Sequence, residues 1–249
     1  MVYNLKLVFR FFSTFGYLRG MFLFLQFMFG NVKKIKINGI PFPFTLRNDT
    51  SDTHTFFQVF LNNEYGISIP FVPKLIIDGG ANIGLFALKM KQKFPSVKII
   101  CIEPDEENFA LLQKNMEPYP DVFCEKKALW PEKKALKITD KFHTGKWGLI
   151  TEEDPNGSVA AISLDELFTS YNFQTIDVLK IDIETSEKQL FATNYESWLP
   201  RVKIIIIELH DHLEPGCGKA FFKAVHACIP NYKYEINGET TIITNLNLL

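Results

Sequence analysis

From Lys74 onward the hydrophobic positions alternate between short unbroken apolar runs and runs at helical spacing. Continuous apolar runs bounded by turn residues predict strands, and apolar residues recurring every three to four positions predict amphipathic helices. On that basis residues 75–78, 97–102, 121–129, 176–183 and 202–209 read as strands. Residues 83–94, 106–116, 164–171, 186–198 and 219–228 read as helices, and 136–139 and 159–162 as short strands. The isoleucine run in 202–209 has no polar alternation, so it belongs at the centre of a sheet covered on both faces. Residues 232–236 and 241–244 flank Asn237-Gly238, a strong hairpin signal, so the last strand should run antiparallel. Repeated strand–helix units predict an α/β fold: a Rossmann-like, doubly wound, mostly parallel seven-stranded sheet with its sites beyond the carboxyl ends of the strands.

The chain before this region follows another pattern. Residues 1–30 are dense in Phe, Leu and Met, but Arg10 and Arg19 interrupt them before the ~20 apolar residues of a spanning helix are reached. Lys6, Arg10, Ser13 and Thr14 share one helical face, whereas Arg19 falls off it, which predicts a break near Gly16 or Gly20. Residues 33–46 alternate around Asn38-Gly39 and predict a hairpin. Thr50-Ser51-Asp52 then caps a helix running to Glu64. The expected organisation is a helical and hairpin extension over residues 1–48 and a catalytic-type domain over 49–249.

Charge sharpens that division. Residues 1–48 hold seven basic side chains and no acid, leaving 20 basic against 28 acidic residues in the remainder. A cationic, Phe-rich head on an acidic body points to a helical lid or an interfacial anchor at the inner face of a membrane. The acidic body has no basic stripe of the kind nucleic acids require. The four cysteines (Cys101, Cys124, Cys217 and Cys228) are scattered without a C-x-x-C pair, as expected of reduced residues in a cytoplasmic protein.

Four segments carry chemistry. Asp78-Gly79-Gly80-Ala81-Asn82-Ile83-Gly84 joins a strand to a helix; glycines there allow a tight turn and close approach of a ligand to helix-start N–H groups. It lacks the G-x-G-x-x-G spacing of dinucleotide enzymes. Glu103-Pro104 ends the next strand, where an acid can accept hydrogen bonds from a ribose diol, so the two segments together predict a nucleoside site. Lys180, Asp182 and Glu184 alternate onto one side at the end of an apolar strand, a costly placement unless the charges are paired or used. Glu208-Leu209-His210-Asp211-His212 ends the isoleucine strand. Asp182, Glu208 and His210 are candidate ligands for a divalent metal, with Glu184 a further hard-cation ligand. Trp130 and Trp147 are candidates to stack on a sugar ring, with core packing as the alternative.

These segments jointly resemble the FkbM family of class I methyltransferases. The D-x-G-A-N-x-G loop is Asp78–Gly84, and E-P-x-x-x-N-F-x-x-L-x-x-N is matched by residues 103–115. Ser163-Leu164-Asp165-Glu166-Leu167 matches T-L-D-E-L, and residues 179–187 match L-K-I-D-V-E-G-A-E, with Thr185 replacing the family glycine. A lead-in from Arg47 to Tyr65 is also similar, so the resemblance covers roughly residues 45–245. It implies S-adenosyl-L-methionine as cofactor, with Asp78, Gly79, Gly80, Ala81, Asn82, Gly84, Glu103, Pro104 and Ala128 around it. Glu103 would then hold the ribose and Ala128 border the adenine. It further implies O-methylation of a small-molecule, glycan or lipid-linked alcohol, with Asp182 orienting or deprotonating the acceptor beside Glu184, Lys180 and His210. N-methylation, and a membrane-surface binding module on a methyltransferase fold, are the competing expectations.

Overall fold

The computed structural model describes residues 2–29, 34–48, 50–141, 145–146 and 148–249, with residues 2–4 described by backbone only. Trp147, Lys33 and Asp49 lie outside the described residues.

Two helices lead. α1 (Val2–Phe15) and α2 (Tyr17–Met28) meet at Gly16, whose φ of 80° breaks the helix at the first of the two expected positions. They fold back on each other closely: a Cβ on Gly20 would sit 2.5 Å from the Phe11 carbonyl oxygen. β1 (Lys34–Ile35) and β2 (Phe44–Thr45) pair antiparallel as the expected hairpin. Asn38-Gly39 is not its tight turn, because residues 36–43 form a wider loop in which the Asn38 carbonyl accepts from Gln92 at 2.6 Å. α3 (Asp52–Phe56) widens into a π-helical turn over Phe57–Leu61. The helical run stops at Leu61 rather than Glu64, Ser51 at its N-cap makes no side-chain cap bond, and Asp52 does not cap it either. Its buried carboxylate accepts from the Arg47 guanidinium at 2.7 Å, and the same Arg47 nitrogen donates to Asn108 at 2.7 Å.

The strand–helix repeat follows: β3 (Leu75–Gly79), α4 (Leu85–Lys93), β4 (Lys98–Ile102), α5 (Glu106–Met116) and β5 (Val122–Glu125). β6 (Ala128–Leu129), β7 (Ala135–Thr139), β8 (Ile150–Glu153) and β9 (Val159–Ile162) form a separate four-stranded sheet. α6 (Leu164–Ser170), β10 (Ile176–Ile181), α7 (Glu187–Leu190), β11 (Val202–Glu208), α8 (Cys217–Cys228), β12 (Tyr232–Asn237) and β13 (Thr240–Asn245) complete the chain. The main sheet has seven strands in the order β12-β13-β11-β10-β3-β4-β5. β10, β11, β3, β4 and β5 are parallel, and β13 is antiparallel to β11, as the terminal hairpin predicted. Strand order reverses between β3 and β10, so their carboxyl ends open into the crevice where such folds place ligands.

Alternation along the strands divides the core. Ile76, Ile99, Val178, Ile204 and Ile206 face one cluster, shared with α4, α5 and the N-terminal helices. Ile77, Ile100, Leu179, Ile205 and Ile207 face the other, shared with α6, α7 and α8. β3, β4, β10 and β11 are therefore covered by apolar residues on both faces, which is why their sequences lack alternation.

Two further expected elements differ. Residues 121–129 do not form one strand: the main-sheet ladder ends where the Glu103 N–H meets the Glu125 carbonyl, and Lys126-Lys127 turn out to half-exposed positions with a Lys127–Glu125 ion pair of 2.9 Å. Residues 186–198 are helical only over α7. Beyond it the chain turns, with Asn194 at φ 59°, while Phe191, Tyr195 and Trp198 remain buried. Irregular backbone reproduces the buried spacing that periodicity took for a helix.

Candidate active site

The turn after β3 is shaped by backbone contacts. Gly80 has φ 76°, and a Cβ there would lie 1.7 Å from the Asp182 carbonyl oxygen, so a side chain is excluded by both conformation and space. Its N–H and that of Ala81 both reach the Ile102 carbonyl at 3.0 Å, tying the turn to the end of β4. Gly84, with φ 88°, starts α4.

Glu103 stands across from this turn. Its carboxylate accepts from the Asn82 N–H at 2.8 Å and the Asp105 N–H at 3.0 Å. Burial nevertheless pushes its pKa up to about 7, those two N–H donors only partly offsetting the loss of solvent. Gly80, Ala81, Asn82, Glu103, Pro104 and Ala128 line a cleft of about 530 Å³, within the ~300–1,000 Å³ of small-molecule sites. Asp78, Gly79 and Gly84 do not line it; they build the turn from behind. Asn82 Oδ1 is buried without a hydrogen-bond partner among the described residues, an acceptor left for a ligand donor.

The second lobe of the same cleft collects the β10 and β11 ends. In register, Lys180 lies beside Asp78 and Ile181 beside both Gly79 and Ile207, which brings Asp182 next to Glu208. Lys180 is buried. Its ammonium donates to the Gly80 carbonyl at 2.8 Å and pairs with Asp182 at 3.2 Å and Asp78 at 3.4 Å. Those two carboxylates outweigh desolvation and hold Lys180 well above its ordinary pKa. Asp78, wholly buried, is raised above the usual carboxylate range by desolvation, which Lys180 only partly offsets.

His210 organises the acids. Its Nδ1 lies 3.1 Å from Glu187 Oε1, which also accepts the Ile183 N–H at 3.0 Å. Its Nε2 faces Glu184 at 3.4 Å, Glu208 at 3.7 Å and Asp182 at 3.9 Å. Burial opposes the charge on the imidazole, but the surrounding carboxylates win and raise it to about 10. Glu184 and Glu208 are each raised to about 8, first by burial and then by Asp182. One ligand atom from each of Asp182, Glu208 and His210 fall within 4.8 Å of one another, the spacing of a cation site.

Thr185 keeps the backbone of a glycine: its φ is 78°, following Glu184 at 49°. A β-branched residue in that region is strained, and Glu184 faces the cleft.

Lys180, Asp182, Glu184, Glu208 and His210 are thus brought together as the sequence suggested. Trp130 is not at the site; it packs at 2% exposure with Ala128, Leu136 and Ala161. Sequence reasoning missed Glu239 and Lys146, which line the cleft, and Glu64, which neighbours Glu208. Glu64 and Glu239 group with Glu208 within 4.8 Å and come from the segment after α3 and the β12–β13 turn. The Glu64–Tyr65 lead-in was the only signal for the first, and Glu239 beside Asn237-Gly238 carried none.

Comparisons with known proteins identify the family. The model of the methyltransferase FkbM domain matches residues 78–236. Methyltransferase 1 of Beauveria bassiana (strain ARSEF 2860) is 25% identical over 179 residues, covering 62% of this chain and 72% of that protein. The 31-O-demethyl-FK506 methyltransferase FkbM of Streptomyces tacrolimicus is 26% identical over 173 residues, covering 55% of this chain and 65% of that protein. The crystal structure of methyltransferase FkbM from Methylobacillus flagellatus KT shares the fold at TM-score 0.51 and 14% identity, over 72% of this chain and 45% of that one. With a glycine turn, a strand-end acid and an acid–histidine cluster around one cleft, the chain belongs to the FkbM family of S-adenosylmethionine-dependent methyltransferases.

Proposed function

We propose that the chain methylates a hydroxyl group of a small-molecule, glycan or lipid-linked acceptor. The observation that carries this reading is the packing of Asp182, Glu184 and Glu208 around His210 in the same cleft as Glu103. The Glu103 lobe fits the cofactor: it offers carboxylate lone pairs for a ribose diol, and Asn82 Oδ1 is an unspent acceptor for a donor on the ligand. When bound, S-adenosylmethionine supplies a sulfonium-activated methyl group. The protein's own task is then to place an oxygen in line with it and to receive the hydroxyl proton. Asp182, held by Lys180, orients the acceptor, and the Glu184–Glu208 pair supplies carboxylate oxygens for the proton. His210, fixed by Glu187, keeps those carboxylates converged. The name of the Streptomyces relative, which records methylation at an oxygen of demethyl-FK506, supports oxygen over nitrogen as the target.

Calorimetry with S-adenosylhomocysteine tests the first lobe and methyl transfer to a panel of alcohol and amine acceptors tests the second. Binding without transfer to any alcohol, alongside transfer to an amine, would overturn the O-methyl assignment. Asp182→Asn should keep S-adenosylhomocysteine binding and lose turnover.

The clustering of Asp182, Glu208 and His210 favours a second reading, in which they hold a hard divalent cation that would polarise the acceptor hydroxyl. The Nδ1 contact with Glu187 is the outer carboxylate contact common behind metal-bound histidines. Turnover unchanged after dialysis against EDTA would remove this reading.

A further inference from the structure

We propose that the outer face of the α1–α2 hairpin docks the protein on an anionic phospholipid bilayer, which it lies on without spanning. The hairpin has two apolar sides. Phe11, Phe15 and Phe27 turn inward and pack on Phe56 and Phe57, with ring centroids 4.9–6.1 Å apart. On the opposite side, Phe9 of α1 and Leu18, Phe22, Leu25 and Phe29 along α2 are exposed, at 71%, 84%, 61%, 43% and 80%. Leu18, Phe22, Leu25 and Phe29 recur at three- and four-residue intervals and form one stripe along α2. A continuous apolar face of this kind marks an interaction surface.

Charge and length select the occupant. Residues 1–48 carry no acid, and of their cationic side chains Lys6, Lys34 and Lys36 are exposed, which suits an anionic surface. A second copy docked on the same face would bring two such cationic heads together, which charge opposes. α1 and α2 have 14 and 12 residues, short of the ~20 needed to span. No helix among the described residues is long and apolar enough to cross a membrane. Phe and Leu on a short amphipathic pair are the residues that insert at the headgroup boundary. The hairpin is also fixed to the body: Arg10 donates to Asn62 at 2.7 Å and Arg19 to Asn38 at 2.9 Å.

The surface connects to the cleft through one short element. Phe56 and Phe57 hold the hairpin, while Thr55, Gln58 and Val59 of the same turns line the cleft. Docking would place that wall one helix away from the bilayer, ~10 Å, suited to a lipid-linked acceptor.

Co-sedimentation of the full chain with vesicles of phosphatidylcholine, alone or mixed with phosphatidylglycerol, tests the proposal. Pelleting is expected with the mixed vesicles and should weaken at least about tenfold without the anionic lipid or in high salt. Leu18→Asp/Phe22→Asp should reduce it by a further factor of at least about ten while leaving S-adenosylhomocysteine affinity and melting temperature unchanged. Lys6→Glu/Lys34→Glu, at exposed positions, provides a second variant that weakens binding through charge alone. Absence of pelleting by the folded protein overturns the proposal, as does pelleting indifferent to both variants. A dimer in light scattering that Leu18→Asp/Phe22→Asp dissociates also overturns it, in favour of a second copy. Vesicle binding does not depend on methyl transfer, so failure to bind S-adenosylhomocysteine would sink the enzymatic reading and leave this one standing.

Discussion

Replacing Lys180 by methionine should destabilise the protein in a way that depends on Asp78 and on pH. The methionine keeps most of the apolar stem and removes the ammonium. Asp78, at 0% exposure, has no hydrogen-bond donor among the described residues and depends on the Lys180 charge at 3.4 Å. Asp182 is a quarter exposed and retains water, so most of the cost should fall on Asp78. Breaking a buried ion pair typically costs about 3–5 kcal/mol. Proton uptake sets an independent ceiling: neutralising a carboxyl of ordinary pKa ~3.9 at neutral pH costs about 4 kcal/mol. The two estimates agree at about 3–4 kcal/mol. The sign follows from linkage. In the variant Asp78 has a folded pKa raised above its unfolded value, so its neutral form carries the stability present at low pH and lost as pH rises. The deficit should therefore shrink by about 1.4 kcal/mol per pH unit on acidification. Urea titrations of wild type, Lys180→Met and Lys180→Met/Asp78→Asn across neutral to mildly acid pH measure both effects. The double variant should recover about 2–3 kcal/mol, because the asparagine removes the buried charge. A deficit below about 1 kcal/mol, or one that does not change with pH, would refute the assignment of Asp78 as a carboxylate sustained by Lys180 alone.

Glu103, pushed up to about 7 by burial, is charged mainly above neutrality, so affinity for S-adenosylhomocysteine should rise up to about tenfold between about pH 6 and pH 8. Glu103→Gln should bind more weakly with a flat profile, and identical profiles in calorimetry would remove Glu103 from the ribose site. Gly80→Ala should cost about 3 kcal/mol or more and abolish binding, because its Cβ would meet the Asp182 carbonyl at 1.7 Å. Gly145→Ala is the control: it has φ 78° but nothing among the described residues within 4 Å of its added Cβ, and should cost only about 1 kcal/mol by thermal melts. Thr185→Gly should stabilise by up to about 1 kcal/mol, since it relieves a β-branched residue at φ 78°. A clear loss of stability would mean that Thr185 makes contacts outweighing its strain.

The parts legible in the sequence were those in which local pattern and global fold demand the same thing. The strands at 176–181 and 202–208 are buried on both faces through their centres, so their aliphatic residues have no exposed alternative and the run of letters identifies them. Glu103 was legible because a charge ending such a strand needs a reason. Residues 121–129 misled because Ala128-Leu129 is as apolar as Val122, although it pairs with β9 in another sheet. That pairing is long-range and leaves no periodic trace. The 186–198 segment misled because burial at Leu190, Phe191, Tyr195 and Trp198 is compatible with a helix but does not require one. Glu239 reaches the cleft, and Glu64 its neighbour Glu208, from distant turns, and each looks like a surface acid in its own neighbourhood.

Lys180 links what the sequence presented as separate motifs. One ammonium holds the Gly80 carbonyl in the turn after β3, the buried Asp78 behind it, and Asp182 in the second lobe of the cleft. The carbonyl contact fixes a turn in which Gly80 cannot carry a side chain, and the Asp182 contact aims a carboxylate into the cleft. A change in the position of this lysine must therefore move both lobes. A Lys180 substitution that only repositioned the acceptor would lower turnover at constant cofactor affinity, and one acting only on the turn would lower affinity at constant turnover. The three contacts require both to fall, by factors tied to the same stability loss, and Asp78→Asn should restore the stability without restoring Asp182's aim. Partial rescue of folding with turnover still absent is thus the signature of a shared lysine, and it separates that arrangement from two independent ion pairs.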